Sequence, residues 1–311
     1  MLSTLAIMIG ASTLFFTIVL LYANGSADIL SLVVFVGGFN VIQWLTAPYL
    51  IDLMYHTREV TAQEQPALYQ IVERISQRAK LAVPRIMIAN IPIPNAFAYG
   101  SPIAGTRVAV TSGLLRVLEP EEVEAVLGHE LGHIKHRDVQ IMMFVSVLPA
   151  ILFYIGFSLS FRSGYRRDRD RGSGLALVGA LSMFLYFVLT LLSLQLSRLR
   201  EYYADRYSVQ VVDNGARKLQ EALAKIVKYA GRKRVVRPVQ RANSFKALYI
   251  ADPDVAETYA AEIRLSSSAG SDDNLVREML SHRPSGFETF AELFSTHPNI
   301  IKRLKALQEL R

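Results

Sequence analysis

Four stretches of this chain, residues 2–23, 29–51, 139–161 and 174–197, carry no charged side chain at all. Each is long enough, as a helix rising ~1.5 Å per residue, to cross ~30 Å of hydrocarbon. The first lacks a basic leading region and a small-residue cleavage site, so it reads as an anchor and not as a removable leader. The competing reading, buried core helices, fits the last two stretches better than the first two. Between and after these blocks the pattern turns amphipathic. Thr61 to Lys80 predicts a helix, with Thr61 and Glu64 spaced as a capping box, and Pro84 ends the pattern. Arg85–Ala89 and Thr106–Thr111 are short and β-branched and predict strands. The Pro- and Gly-rich residues 91–105 between them predict turns around one more short strand. Leu114–Leu118 reads as a helical turn. Glu119-Pro120-Glu121-Glu122 opens a strong helix, with proline in the first turn and acids at the positive end of the dipole.

The pattern therefore predicts a mainly α membrane protein: four hydrophobic helices plus an α+β domain with a small β-sheet. Its parts are a transmembrane hairpin at 1–51, a first soluble part at 52–138, a second hydrophobic hairpin at 139–197 and a second soluble part at 198–311. Composition agrees. The chain is 51% hydrophobic, with 34 Lys+Arg against 27 Asp+Glu and a mean hydropathy of +0.25. A basic nucleic-acid binder would not need such apolar blocks, so no nucleic-acid partner is expected; the lipid bilayer is. The link at 24–28 has no Lys or Arg, whereas 198–200 and 231–241 are rich in arginine, so both soluble parts are expected in the cytoplasm. The link at 162–172, with five arginines against two aspartates, runs against this rule. Either the first hairpin dominates the topology or the second does not fully cross.

Cysteine is absent, which removes disulfides, thiolate chemistry and any zinc site with Cys ligands. Three of the six histidines fall in VLGHELGHIKH, residues 126–136. His129-Glu130-Leu131-Gly132-His133 is H-E-x-x-H on a predicted helix. Residues four apart share a face, so both imidazoles can converge on one ion, with Glu130 beside them to take a proton from water. The motif also occurs by chance in polar helices. Gly128 and Gly132, poor helix formers, argue for close approach of another element. His136 returns to nearly the same face, but an unbroken helix sets it ~10 Å along the axis from His129, beyond a shared ion. It reads as a surface or interfacial histidine. A catalytic zinc needs a third protein ligand. The best candidate is Glu201 in RLREYYAD, with Asp205 one turn on to brace a ligating histidine; the same spacing also suits a solvated helix face.

These residues carry a resemblance. An N-terminal hydrophobic pair, PNAFAYG at 94–100, HELGH at 129–133, a second hydrophobic pair, REYYAD at 200–205 and STHPNIIKR at 295–303 together resemble the HtpX family of integral-membrane zinc metallopeptidases. CAAX prenyl endopeptidases are more distant relatives. The resemblance implies a zincin-like domain and one Zn2+ per chain on His129, His133 and Glu201. It implies Glu130 as general base, Asp205 bracing a ligand, and His297 and Arg303 close to the site, His297 being the candidate oxyanion donor and Arg303 or a tyrosine the alternatives. It also points to Asn95, Ala96 and Phe97 and the strand around Arg107–Thr111 as the edge that takes an extended polypeptide substrate; a plain structural hairpin is the other reading. Residues 230–280 match no part of the pattern.

The expected function is a multi-pass enzyme of the cell membrane that cleaves unfolded or misfolded membrane proteins at cytoplasmic segments. Two other classes stand beside it. A non-catalytic membrane scaffold would not need Glu130. A CAAX-type prenyl-protein processing enzyme would need a larger chamber than four hydrophobic blocks supply.

Overall fold

The computed structural model describes residues 29–165, 169–233, 272–282 and 286–311. The first apolar block, the link at 24–28, part of the link at 162–172 and most of the basic run at 231–241 lie outside these residues. The chain divides into two compact units. One comprises Met1–Trp44 with Gln140–Ser197, the other Leu45–Val139 with Arg198–Arg311.

Three long helices carry the last three apolar blocks: α1 (Ile29–Tyr55), α5 (Asp138–Tyr165) and α6 (Arg169–Val211). Among the described residues two helices are long and apolar enough to cross a membrane, Asp138–Leu159 within α5 and Ala176–Val211 within α6. The described residues are thus mainly helical, with two such helices and one small mixed sheet.

The second unit is built on that sheet. Strands β1 (Thr57–Glu59), β2 (Arg85–Ala89), β3 (Ala96–Ser101) and β4 (Gly105–Thr111) lie in the order β1-β2-β4-β3. β2 and β4 are parallel, and β1 and β3 close the sheet antiparallel on either side. β3 is therefore an edge strand. The three strands expected from the sequence form; β1, only three residues long, carries no signal of its own.

Both faces of the sheet are covered. Ile86, Val108 and Val110 pack with α2 (Pro66–Ala79), α3 (Ser112–Val117), α4 (Pro120–Lys135), α7 (Gly215–Lys233), α8 (Asp272–Ser281) and α10 (Ile300–Gln308) into the main core. The buried stripes sit at helical spacing: Leu68, Ile71, Val72, Ile75 and Ala79 on α2, and Leu219, Ala222, Leu223, Ile226 and Val227 on α7. On the other face Met87, Ala89, Phe97, Tyr99 and Ala109 pack against Tyr55. There Asp52, near the end of α1, accepts hydrogen bonds from Tyr99 (2.6 Å) and Thr57 (2.5 Å) and pairs with the buried Arg107.

One helix start is corrected. α2 begins at Pro66, not at Thr61. Thr61 and Glu64 do make the reciprocal contacts of a capping box, at 3.0 and 3.4 Å, but around an isolated turn. Proline at the first helical position, where the missing N–H costs nothing, sets the true start.

Candidate active site

α4 starts as its sequence predicts. Glu119 and Glu122 form a capping box around Pro120, and Glu122 reaches on to Lys225 at 2.8 Å, tying the helix start to α7. One turn from its end α4 crosses α6 at the two glycines. A Cβ on Gly128 would stand 2.9 Å from Val212 and 3.0 Å from Ser208; one on Gly132 would stand 3.1 Å from the Cα of Ala204. Ser208 donates to the Ala125 carbonyl at 2.6 Å across the crossing. The glycines are where α4 and α6 come close enough for their functional side chains to meet.

The candidate ligand set assembles at this crossing. His129 and His133 bring their Nε2 atoms to 3.1 Å from one another. Glu201 Oε2 lies 3.6 Å from His129 Nε2, and Glu201 Oε1 lies 3.6 Å from His133 Nε2. The three residues form a group whose ligand atoms all lie within 4.8 Å of one another. Two donors each about 2.1 Å from one zinc ion at a tetrahedral angle stand about 3.4 Å apart, so the observed spacings fit an ion.

The far sides of the rings fit as well. His129 Nδ1 lies 2.9 Å from Asp205, and His133 Nδ1 lies 2.5 Å from Asp138. A carboxylate beside each Nδ1 favours a proton on that nitrogen, which leaves the Nε2 lone pairs for the shared point. Glu201 Oε2 is buried and closes no hydrogen bond, although His297 Nδ1 stands 3.5 Å away and Arg303 Nη1 3.3 Å. An acidic oxygen left open toward two imidazoles is what a metal ligand requires.

The electrostatics follow from burial and pairing. Burial pulls the His129 ring down, but Asp205 and Glu201 outweigh it and raise its pKa to about 9. Burial raises Glu201, yet His297, His129 and Arg303 hold it well below the usual carboxylate range. Glu130 is raised by burial, against the pull of His133 and His129.

Glu130 points away from the ligands' far side and toward the sheet. Its Oε2 accepts the backbone N–H of Ala98, on the outer edge of β3, at 3.0 Å. Asn95, Ala96 and Phe97, the expected substrate contacts, lie at the start of β3 and just before it, with buried side chains. They are 0%, 1% and 2% exposed, because Phe97 packs on Tyr55 and Tyr99 while the Asn95 backbone closes the sheet with Thr111. Only outward backbone groups of this strand face the open edge.

His297 lies just before α10, with its side chain 13% exposed, beside Glu201. The helix that follows it begins at Ile300, and Asn299 caps that helix by accepting the N–H of Ile301. Arg303, the alternative oxyanion donor, lies beside Glu201. It is 1% exposed and grips Asp205 through Nε (2.9 Å) and Nη2 (2.6 Å), with Nη1 facing Glu201. Its guanidinium holds two acids. His136 lies outside the ligand set, its ring against Tyr203 and Tyr207.

The sequence reading missed Asp138 and Arg200. Asp138 follows His133 by five positions, which in an unbroken helix points elsewhere; nothing in the residue types marks the break between α4 and α5.

The model of peptidase family M48 matches residues 62–311. A protease HtpX homolog of Thermoplasma acidophilum is 39% identical over 279 residues, covering 88% of this chain and 82% of the relative. Protease HtpX homolog 2 of Sulfurisphaera tokodaii is 35% identical over 306 residues, covering 93% and 88%. Among solved structures, that of S. mikatae Ste24p superposes with a TM-score of 0.57 at 18% identity; the match takes in 98% of this chain but only 63% of the Ste24p chain. That likeness is one of fold. With an H-E-x-x-H helix, an acidic third donor and relatives matched along most of their length, the chain belongs to peptidase family M48, among the HtpX proteases, and is a metalloprotease.

Proposed function

We propose that this metalloprotease is a zinc endopeptidase seated in a cell membrane by four spans, with its catalytic part in the cytoplasm, and that it clears unfolded or misfolded membrane proteins. The observation that carries the zinc assignment is the donor set. Two Nε2 atoms and one free carboxylate oxygen face a common point, and each imidazole is braced from behind by its own aspartate. In a chain without cysteine this N,N,O set suits a single zinc ion.

His129, His133 and Glu201 would hold the ion. When bound, it supplies Lewis-acid polarisation of a carbonyl and acidifies a water molecule. The remaining work belongs to the chain. Glu130, its carboxyl raised by burial, accepts the proton of the attacking water and hands it to the leaving amine. His297 offers a ring N–H to the oxyanion, and Arg303 keeps Asp205 and Glu201 in place. The substrate runs as an extended strand along the open edge of β3, where backbone groups give affinity without demanding a sequence. Such tolerance suits unfolded polypeptides.

Membrane substrates follow from the ligands' places along the chain. His133 precedes the apolar run at 139–161 by six residues, and Glu201 follows the run at 174–197 by four. Both would hold the site near the bilayer surface, within reach of loops and juxtamembrane segments. The same order requires residues 52–138 and 198–311 to share one side of the membrane. The HtpX relatives match most of the chain, so prenyl-protein processing is not favoured.

The test is cleavage of an unfolded protein such as casein by detergent-purified enzyme, with zinc measured in parallel. Activity should be lost to a chelator and restored by zinc, at one zinc per chain. Activity that survives complete removal of metal would refute the reading. Accessibility tags at residue 26 and at the C-terminus, probed in intact cells, test the orientation: only the first should label from outside.

A further inference from the structure

The geometry points to Asp138 and Arg200 as a positioning pair for His133, a role that rests on His133 being a metal ligand. Asp138 is 2% exposed, its Oδ2 lies 2.5 Å from His133 Nδ1, and its Oδ1 lies 3.1 Å from Arg200 Nε. Asp205 stands in the corresponding place beside His129 Nδ1, at 2.9 Å, and Arg303 grips it through two hydrogen bonds, where Arg200 meets Asp138 as an ion pair. The two histidines thus stand on two parallel Arg–Asp–His chains. A charged carboxylate at Nδ1 fixes ring orientation and tautomer and makes Nε2 a stronger donor. An arginine on its far side stops that carboxylate from turning away.

Asp138 reaches His133 only because the helix breaks. In a continuous helix, five residues place a side chain ~140° around the axis and ~7.5 Å along it. Here α4 ends at Lys135, Arg137 takes a left-handed conformation with φ 54°, and α5 starts at Asp138. A non-glycine residue in that sparsely populated region is held there by its surroundings. The turn brings Asp138 back against the ring it follows. Arg200 comes from α6, directly beside the ligand Glu201. The pair therefore ties the start of α5 and the ligand-bearing part of α6 to one imidazole, so that metal affinity depends on how these two helices are set.

Asp138 also lies in the first turn of α5, where an acid stabilises a helix whatever lies beyond it. Asn caps helix starts about as well as Asp, so Asp138→Asn separates the two roles. Full-length protein in detergent, stripped of metal, is titrated with zinc against a chromophoric chelator. We expect Asp138→Asn to weaken zinc binding about 10- to 100-fold and Arg200→Gln to weaken it in the same direction, with the metal-free melting temperature unchanged in both. With cobalt in place of zinc, the visible spectrum of Asp138→Asn should shift. Should Asp138→Asn fail to fold, Arg200→Gln carries the test alone. Zinc affinity within twofold of the unaltered chain in the folded variants would overturn the proposal, provided His133→Ala still abolishes binding. Undiminished binding by His133→Ala would instead overturn the metal site itself, and the positioning pair with it.

Discussion

Glu130 and Ala98 are joined across the site: the carboxylate of the H-E-x-x-H helix accepts the backbone N–H of the edge strand at 3.0 Å. One contact fixes both the proposed general base and the strand proposed to take the substrate. Glu130→Gln keeps a carbonyl oxygen for Ala98 but cannot accept the water proton. We expect zinc content and folding to be retained and cleavage to fall at least ~10²-fold. Metal analysis and a casein assay on the same preparation check this; near-normal cleavage would remove Glu130 from its role.

His129 is 1% exposed and sits between Asp205 and Glu201. His129→Ala removes one of three ligands and leaves two buried acids facing each other. Zinc stoichiometry, measured on the purified variant, should drop from one per chain to well below that. Full occupancy would show that the ion sits elsewhere.

The raised pKa of His129, about 9 against an ordinary 6.5, gives metal binding a pH dependence of known sign. Without metal the ring keeps its second proton at neutral pH. In the metal-free fold this contributes stability that is fully present below pH 6.5 and is lost as pH rises through about 9. Zinc needs the Nε2 lone pair, so binding at pH 7.5 must release that proton. Calorimetry in buffers of different ionisation enthalpy should report proton release at pH 7.5 that fades above pH 9. Release independent of pH across this range would contradict the assignment.

Gly132 faces the Cα of Ala204, and an added methyl would stand 3.1 Å from it. Backbone cannot swing aside as a side chain can, so Gly132→Ala must part α4 from α6 by a few tenths of an ångström. Overpacking of this kind typically costs about 1–3 kcal/mol. It also separates the histidines from Glu201. We expect a lower melting temperature together with weaker zinc binding. Gly37→Ala, with nothing within 4 Å of the new atom, serves as the control and should lower neither.

The periodicity of the chain determined the elements that carry the chemistry. Residues four apart share a helix face, so His129 and His133 were legible as a pair, and Glu201 with Asp205 likewise. The apolar runs marked their helices, Pro120 with its flanking acids marked the start of α4, and β-branched runs marked β2 and β4. All of these are local: the backbone's own repeat places the side chains relative to one another. What lay between elements was decided only by tertiary structure. Gly128 and Gly132 announced a close approach, but not that α6 would be the partner. The edge position of β3 depends on the sheet order, and the burial of Phe97 on packing from Tyr55 and Tyr99. The buried place of Arg303 between Asp205 and Glu201, two carboxylates that need a counter-charge, is likewise set by packing. Asp138 shows the limit most plainly. A helical reading turns it away from His133, and only the left-handed residue at Arg137, a conformation that no residue type there demands, brings it back.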